Sequence, residues 1–146
     1  MPVVPFGFSV GDFVTVITLI WQVCETLNKV SSCYEEFQET KLELKSLGDI
    51  IERLQKSISE GITISTEDAN KVRDVLDCCQ KSLKEFEQLV AEYANLWSSR
   101  NKSNPLKNTR KRISFVLFGK NKIDLFRKRV QNHLQVLTLL QQDLSW

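Results

Sequence analysis

Helix breakers are scarce in this chain: five glycines and three prolines, two of the prolines within the first five residues. Long stretches are free of the residues that end regular structure, so the chain reads as helical. Histidine is rarer still, with His133 alone. The four cysteines, Cys24, Cys33, Cys78 and Cys79, form no C-x-x-C pair, and a single histidine completes no zinc site with them at a common spacing. They read as small buried hydrophobes in a reducing compartment. The sequence has no glycine-rich phosphate loop and no H-E-x-x-H. It gives His133 neither an orienting acid nor a nucleophile, and sets it on an apolar stripe between Val130 and Leu137. Paired carboxylates such as Glu35 and Glu36 lie on a charged helix face. These absences argue against an enzyme, a metal, a cofactor or a small-molecule substrate.

The N-terminus lacks a basic region and a small-residue cleavage site, so it does not read as a secretory signal. Nor is it a good membrane span. Asp12 and Glu25 enclose twelve residues, two of them Thr and one Gln, against the ~20 apolar residues a spanning helix needs. The expectation is a soluble cytosolic chain forming one domain over residues 1–146, long enough to bury a real core.

What is present begins with the stretch Val10–Val30, the most apolar in the chain. Ser9 and Asp12 make a capping signal at its start. Val10, Phe13, Val14, Ile17, Trp21 and Cys24 form one helical stripe, and Val16, Leu19, Ile20, Val23 and Leu27 fill much of the opposite side. A helix apolar nearly all round is buried on every side or sits in lipid. A second helix is predicted from about Cys33 to Ser59. Its stripe of Phe37, Leu44, Leu47, Ile51, Leu54 and Ile58 is a heptad with Thr40 in one slot, and Gly48 permits a close helix approach. Glu60-Gly61 ends it. Ser65 with Asp68 opens a third helix, on which Val72, Leu76, Cys79, Leu83, Phe86, Val90, Tyr93 and Trp97 step by 4 and 3 in turn. Residues 98–108 read as the main break. A short helix is then predicted over Thr109–Phe118, stopped by Gly119, and a last helix from Asn121 carries Ile123, Phe126, Val130, Leu137, Leu140 and Leu144.

The expected fold is all-α: a bundle of four long helices plus a short one, with the apolar N-terminal helix central. A coiled coil is the alternative; the short connections favour the bundle. Expected core positions are Phe13, Ile17, Ile20, Trp21, Leu47, Ile51, Leu54, Leu76, Leu83, Phe86, Val90, Phe126, Val130, Leu137 and Leu140.

The formal net charge of +2 conceals a segregation. Residues 100–130 hold eleven Lys/Arg and one acid, Asp124; the rest of the chain holds nine Lys/Arg and seventeen acids. Such polarity concerns partners rather than fold. The cluster comprises Lys107, Arg110, Lys111, Arg112, Lys120, Lys122, Arg127, Lys128 and Arg129. Three readings compete for it. It is a solvated face or a partner to the acidic second and third helices; or it meets an anionic membrane, where each basic residue is worth on the order of 1 kcal/mol; or it binds nucleic acid, with Phe115, Phe118 and Phe126 interleaved as stacking aromatics. The third is the weakest, since those aromatics sit at core-like positions and no known nucleic-acid module is present.

Several strings resemble a known family. FGFSVGDFVTVITLIWQVCETL is similar to the opening of fungal HeLo-like domains, whose first helix begins with a G-x-S-x-G-D-[FI] run followed by apolar residues and a Trp. YEEFQETKLELKSLGDIIERL, VLDCCQKSLKEFEQLVAEY and the closing FVLFGKNKIDLFRKRVQNHLQVLTLL resemble later segments of the same domains, in the same order and spacing. The resemblance implies an all-α bundle at the head of longer, NLR-like proteins, akin to the four-helix bundle of mixed lineage kinase-like pseudokinases. It implies a domain that acts in programmed cell death. Its N-terminal helix would permeabilise membranes once the protein has assembled into a homo-oligomer at the plasma membrane. By matching position, Phe8, Val10, Phe13, Val14, Ile17, Leu19, Ile20, Trp21 and Cys24 would insert. Asp12 opposes insertion by ~2.5–3.5 kcal/mol at mid-bilayer and would face a water-filled lumen. The basic cluster would bind anionic lipid. The rival reading is a protein-interaction module that regulates and never enters lipid.

Overall fold

The computed structural model describes residues 10–30, 35–98 and 105–144, and their side chains except at 10, 30, 93, 94, 96–98 and 105–118. Four helices account for all the described residues but 60–65: α1 (Val10–Val30), α2 (Glu35–Ser59), α3 (Thr66–Ser98) and α4 (Pro105–Leu144). Among the described residues there is no strand. The fold is an all-α four-helix bundle, as the spacing of the apolar residues predicts.

Each helix buries a stripe spaced by threes and fours. In α1 it is Phe13, Val16, Ile20, Val23 and Leu27. In α2 Phe37, Thr40, Leu44, Leu47, Ile51 and Leu54 are buried, and α3 contributes Val72, Leu76, Cys79, Leu83, Phe86 and Val90. Thr40 fills its apolar slot because its hydroxyl donates to the Glu36 carbonyl at 2.7 Å, which removes the penalty of burying it. The ends of α2 and α3 follow the local chemistry. Gly61 takes φ 88°, a left-handed conformation that suits glycine. The Gly61 and Ile62 N–H groups donate back to the Ile58 and Ser57 carbonyls at 3.1 and 3.2 Å, closing α2 in a Schellman turn. The Ser65 hydroxyl then caps α3 by accepting from the Asp68 N–H at 3.1 Å.

The contacts fix the topology. Cys24 lies beside the Lys41 carbonyl while Trp21 lies on Gly48, so α1 and α2 are antiparallel. Phe86 stacks on Phe126 while Glu85 meets Arg129, so α3 and α4 are antiparallel. Arg127 reaches Glu39 and Glu43 while Gln131 reaches Glu43, so α2 and α4 run parallel. Among the described residues α1 neighbours α2 and α3, α4 neighbours the same two, and α1 and α4 face each other only across the diagonal.

Three expectations change. Helix α1 is a corner of the bundle and is not wrapped at its centre. Its outer face carries Thr15, Thr18, Gln22 and Glu25, all exposed, and polar groups of that kind stay at water unless partnered. Trp21 is accordingly 37% exposed and Ile17 only partly buried, against the expected full burial; the other thirteen expected core residues are buried. Second, the short helix and the last helix are one 40-residue helix. Gly119 is buried inside it and does not take a positive φ, so it is no C-cap. Glycine within a helix costs only about 1 kcal/mol, and Gly119 occupies the slot between Val116 and Ile123 in an unbroken 3-4 stripe. Third, Pro105 opens α4 rather than sitting in a loop, since the first turn has no use for the missing N–H.

Candidate functional site

Two surfaces deserve functional scrutiny: α1, and the outer sides of α4 with its neighbour α3. On α1, Phe13, Ile20 and Cys24 are in the core, Ile17 and Leu19 pack against it in part, and Val14 and Trp21 are exposed at 49% and 37%. The side chain of Val10, and Phe8 altogether, lie outside the described residues. Trp21 lays its ring on α2, where a Cβ at Gly48 would come within 3.3 Å of the Trp21 Cζ2 atom. The glycine is what lets the indole cover the α1–α2 seam. Asp12 is exposed near the start of α1, where the helix dipole favours a carboxylate.

The basic cluster divides. Arg127 is held by α2: its Nε donates to Glu43 Oε1 at 2.7 Å, and its Nη2 lies 2.6 Å from the same oxygen and 3.1 Å from Glu39 Oε2. The two carboxylates hold its guanidinium above its ordinary pKa against the opposing effect of burial, which is the largest influence. Arg127 is thus a structural clasp between parallel helices. Arg129 pairs with Glu85 of α3 at 3.9 Å, both well exposed, a pair worth little by itself. Lys120, Lys122 and Lys128 are exposed. Lys107, Arg110, Lys111 and Arg112 lie on α4 with side chains outside the described set. The cluster is therefore partly the intramolecular partner of the acidic helices.

Beside it runs a groove of about 390 Å³ between α3 and α4. Its apolar lining is Phe86, Leu89, Leu125 and Phe126. The Phe86 and Phe126 rings stack with centroids 4.0 Å apart and planes within 1°. Glu85 and Glu92 edge it on the α3 side, Lys122 and Arg129 on the α4 side. Leu125 is 50% exposed there. Of the described apolar residues that α4 leaves at its surface, Leu125 alone lines this groove. Leu125, Val136 and Leu139 are apolar residues off the buried stripe of α4, and all three are exposed.

Two buried thiols and the single histidine are shifted by burial. Burial raises the Cys24 thiol against the lowering influence of Lys45 and Lys41, and pushes Cys79 up to about 12. Both stay protonated and unreactive at neutral pH. Cys33 lies outside the described residues. His133 fills a partly buried slot of the α4 stripe, its Nε2 without a hydrogen-bond partner, and burial followed by the nearby Arg129 lowers its pKa. Among the described residues no three His, Cys, Asp or Glu converge as a metal site, and no helix is long and apolar enough to cross a membrane. Compared with known proteins, the chain matches no family model, no curated protein and no solved structure.

Proposed function

We propose that this chain is a non-enzymatic, membrane-directed domain of the cell-death type, which gathers on anionic lipid at the plasma membrane from the cytosol and permeabilises it through α1 after clustering. The observation that carries the reading is the position of α1: a corner helix, uncharged from Phe13 to Cys24 and held by two neighbours. Its apolar side chains would serve a bilayer as well as a core. The resemblance of the quoted strings to HeLo-like domains points the same way.

Energetics set the condition. Removing Phe13, Val16, Ile20, Val23 and Leu27 from the core into water would cost roughly 8–15 kcal/mol, comparable to the whole stability of a domain, about 5–15 kcal/mol. Free in solution, α1 stays in the bundle; only transfer into lipid or into an assembly offsets the loss. Geometry adds a second condition. The outer faces of α1 and α4 point away from each other across the diagonal. A single bundle lying on lipid through the outer face of α4 holds α1 on the far side, so insertion follows departure of α1.

The test is dye release from liposomes by purified protein clustered through a fused oligomerisation tag. Release that requires anionic lipid and clustering is expected. Binding to liposomes with no release under any clustering would sink the reading in favour of the rival one, a protein-interaction module, which the α3–α4 groove favours.

A further inference from the structure

We infer that the α3–α4 groove is the docking surface for a second copy of this chain, the two grooves meeting face to face about a two-fold axis that runs along them. Glu85 and Glu92 lie along one side, Lys122 and Arg129 along the other, and the apolar floor with half-exposed Leu125 lies between. The charges are sorted by helix. A surface with acid on its left and base on its right is complementary to itself under one operation only. A two-fold axis along the groove sets Lys122 and Arg129 of each copy over Glu92 and Glu85 of the other, at matching heights. An axis across the groove sets acid on acid. Isologous contacts of this kind close on themselves and yield a dimer, not a filament.

The floor gives the contact its driving force. Half-exposed Leu125 enters the facing groove and supplies most of that force, packing on Leu89, Phe86 and Phe126, which are already buried. The rims give it register. The Arg129–Glu85 pair within one copy is long at 3.9 Å and exposed, so exchanging it for the equivalent pair between copies loses little. Lys122 and Glu92 line the same groove with no ion pair between them or to any other described residue. Docking pairs both. A groove of this size belongs with small, transient contacts, below about 1,200 Å² in total, and the dimer is accordingly weak and concentration-dependent. This inference rests on the proposed function only for its consequence, that clustering begins at this surface.

Sedimentation velocity of the whole chain without lipid tests it. The wild type is expected to shift from monomer to dimer with rising concentration, and less so in high salt. Leu125→Asp should weaken self-association at least about tenfold. Two charge-reversed forms make the test specific: Glu85→Lys with Glu92→Lys, and Lys122→Glu with Arg129→Glu. All four positions are at the surface, and circular dichroism checks that each form folds. Each alone presents rims of one sign and should remain monomeric. An equimolar mixture of the two should dimerise. A wild type that stays monomeric at every concentration overturns the interface, as does dimerisation of either reversed form alone, or a mixture of folded proteins that stays monomeric. Dye release by a protein that never self-associates through this groove would overturn the interface while leaving the membrane reading intact. Self-association with no dye release would do the reverse.

Discussion

Arg127 and Lys128 are adjacent in sequence and do different work. Arg127 is 21% exposed and clasps Glu39 and Glu43, whereas Lys128 points into water. Basic composition cannot separate them; their angular positions on α4 do, one facing α2 and the other facing outward. Arg127→Ala leaves Glu43, itself only 18% exposed, short of its partner. The expected loss is roughly 1–3 kcal/mol in urea unfolding, while Lys128→Glu should change stability by less than about 0.5 kcal/mol. Equal losses would mean that the clasp contributes nothing. His133 gives a pH signature. Its pKa is lowered in the fold by burial and by Arg129, so the unfolded chain takes up a proton first as pH falls. The fold's advantage is complete above the unfolded value, about 6.5, and declines as pH drops from there through the lower folded value. Thermal melts between neutral and mildly acidic pH should show this decline, and His133→Leu should flatten it; an unchanged slope would remove His133 as its source.

At the scale of helices, the sequence reveals most where a stripe and a cap agree. The third helix was legible because Ser65, Asp68 and the run from Val72 to Val90 speak together, and the structure has the cap at 3.1 Å. The end of α2 was legible in Gly61 for the same reason. Gly61→Ala is expected to lose about 1 kcal/mol, because its φ of 88° strains any side chain although nothing stands within 4 Å of an added Cβ. An unchanged unfolding midpoint would show that the turn relaxes freely. Gly119 misled for a physical reason. A glycine with an asparagine two residues on looks like a stop, yet the heptad phase of α4 runs through it without a slip, and phase carried from Val116 to Leu144 outweighs one weak helix former. Helix α1 misled because its two apolar sets look equally good in projection. The choice between them is made by Thr15, Thr18, Gln22 and Glu25, which turn one side to water and leave Phe13, Val16, Ile20, Val23 and Leu27 inside. The groove was hardest to read, since it depends on which sides of α3 and α4 meet, and periodicity within one helix says nothing about its neighbour.

For the molecule as a whole, the proposed function assigns recruitment to α4 and insertion to α1, which lie across the diagonal from each other, and the two steps would answer to different forces. Recruitment would depend on exposed cations outside the α3–α4 groove, such as Lys120 and Lys128. It should weaken with salt, because surface charges are screened beyond ~8 Å at physiological ionic strength. Departure of α1 depends on the core it closes. Leu44 of α2 is fully buried in that core and is not part of α1. Leu44→Ala should lower stability by about 2–5 kcal/mol without touching either the helix proposed to insert or the basic surface. If departure of α1 limits permeabilisation, this variant binds anionic liposomes as the wild type does and releases dye faster per bound molecule, whereas Lys120→Glu with Lys128→Glu binds less and releases in proportion to what is bound. Binding by co-sedimentation and release by fluorescence, measured on the same samples below the melting temperature of the variant, separate the two steps. Should Leu44→Ala release no faster per bound molecule despite its lost stability, α1 does not leave the bundle in the limiting step. The proposal would then have to let the folded bundle act through its surface alone.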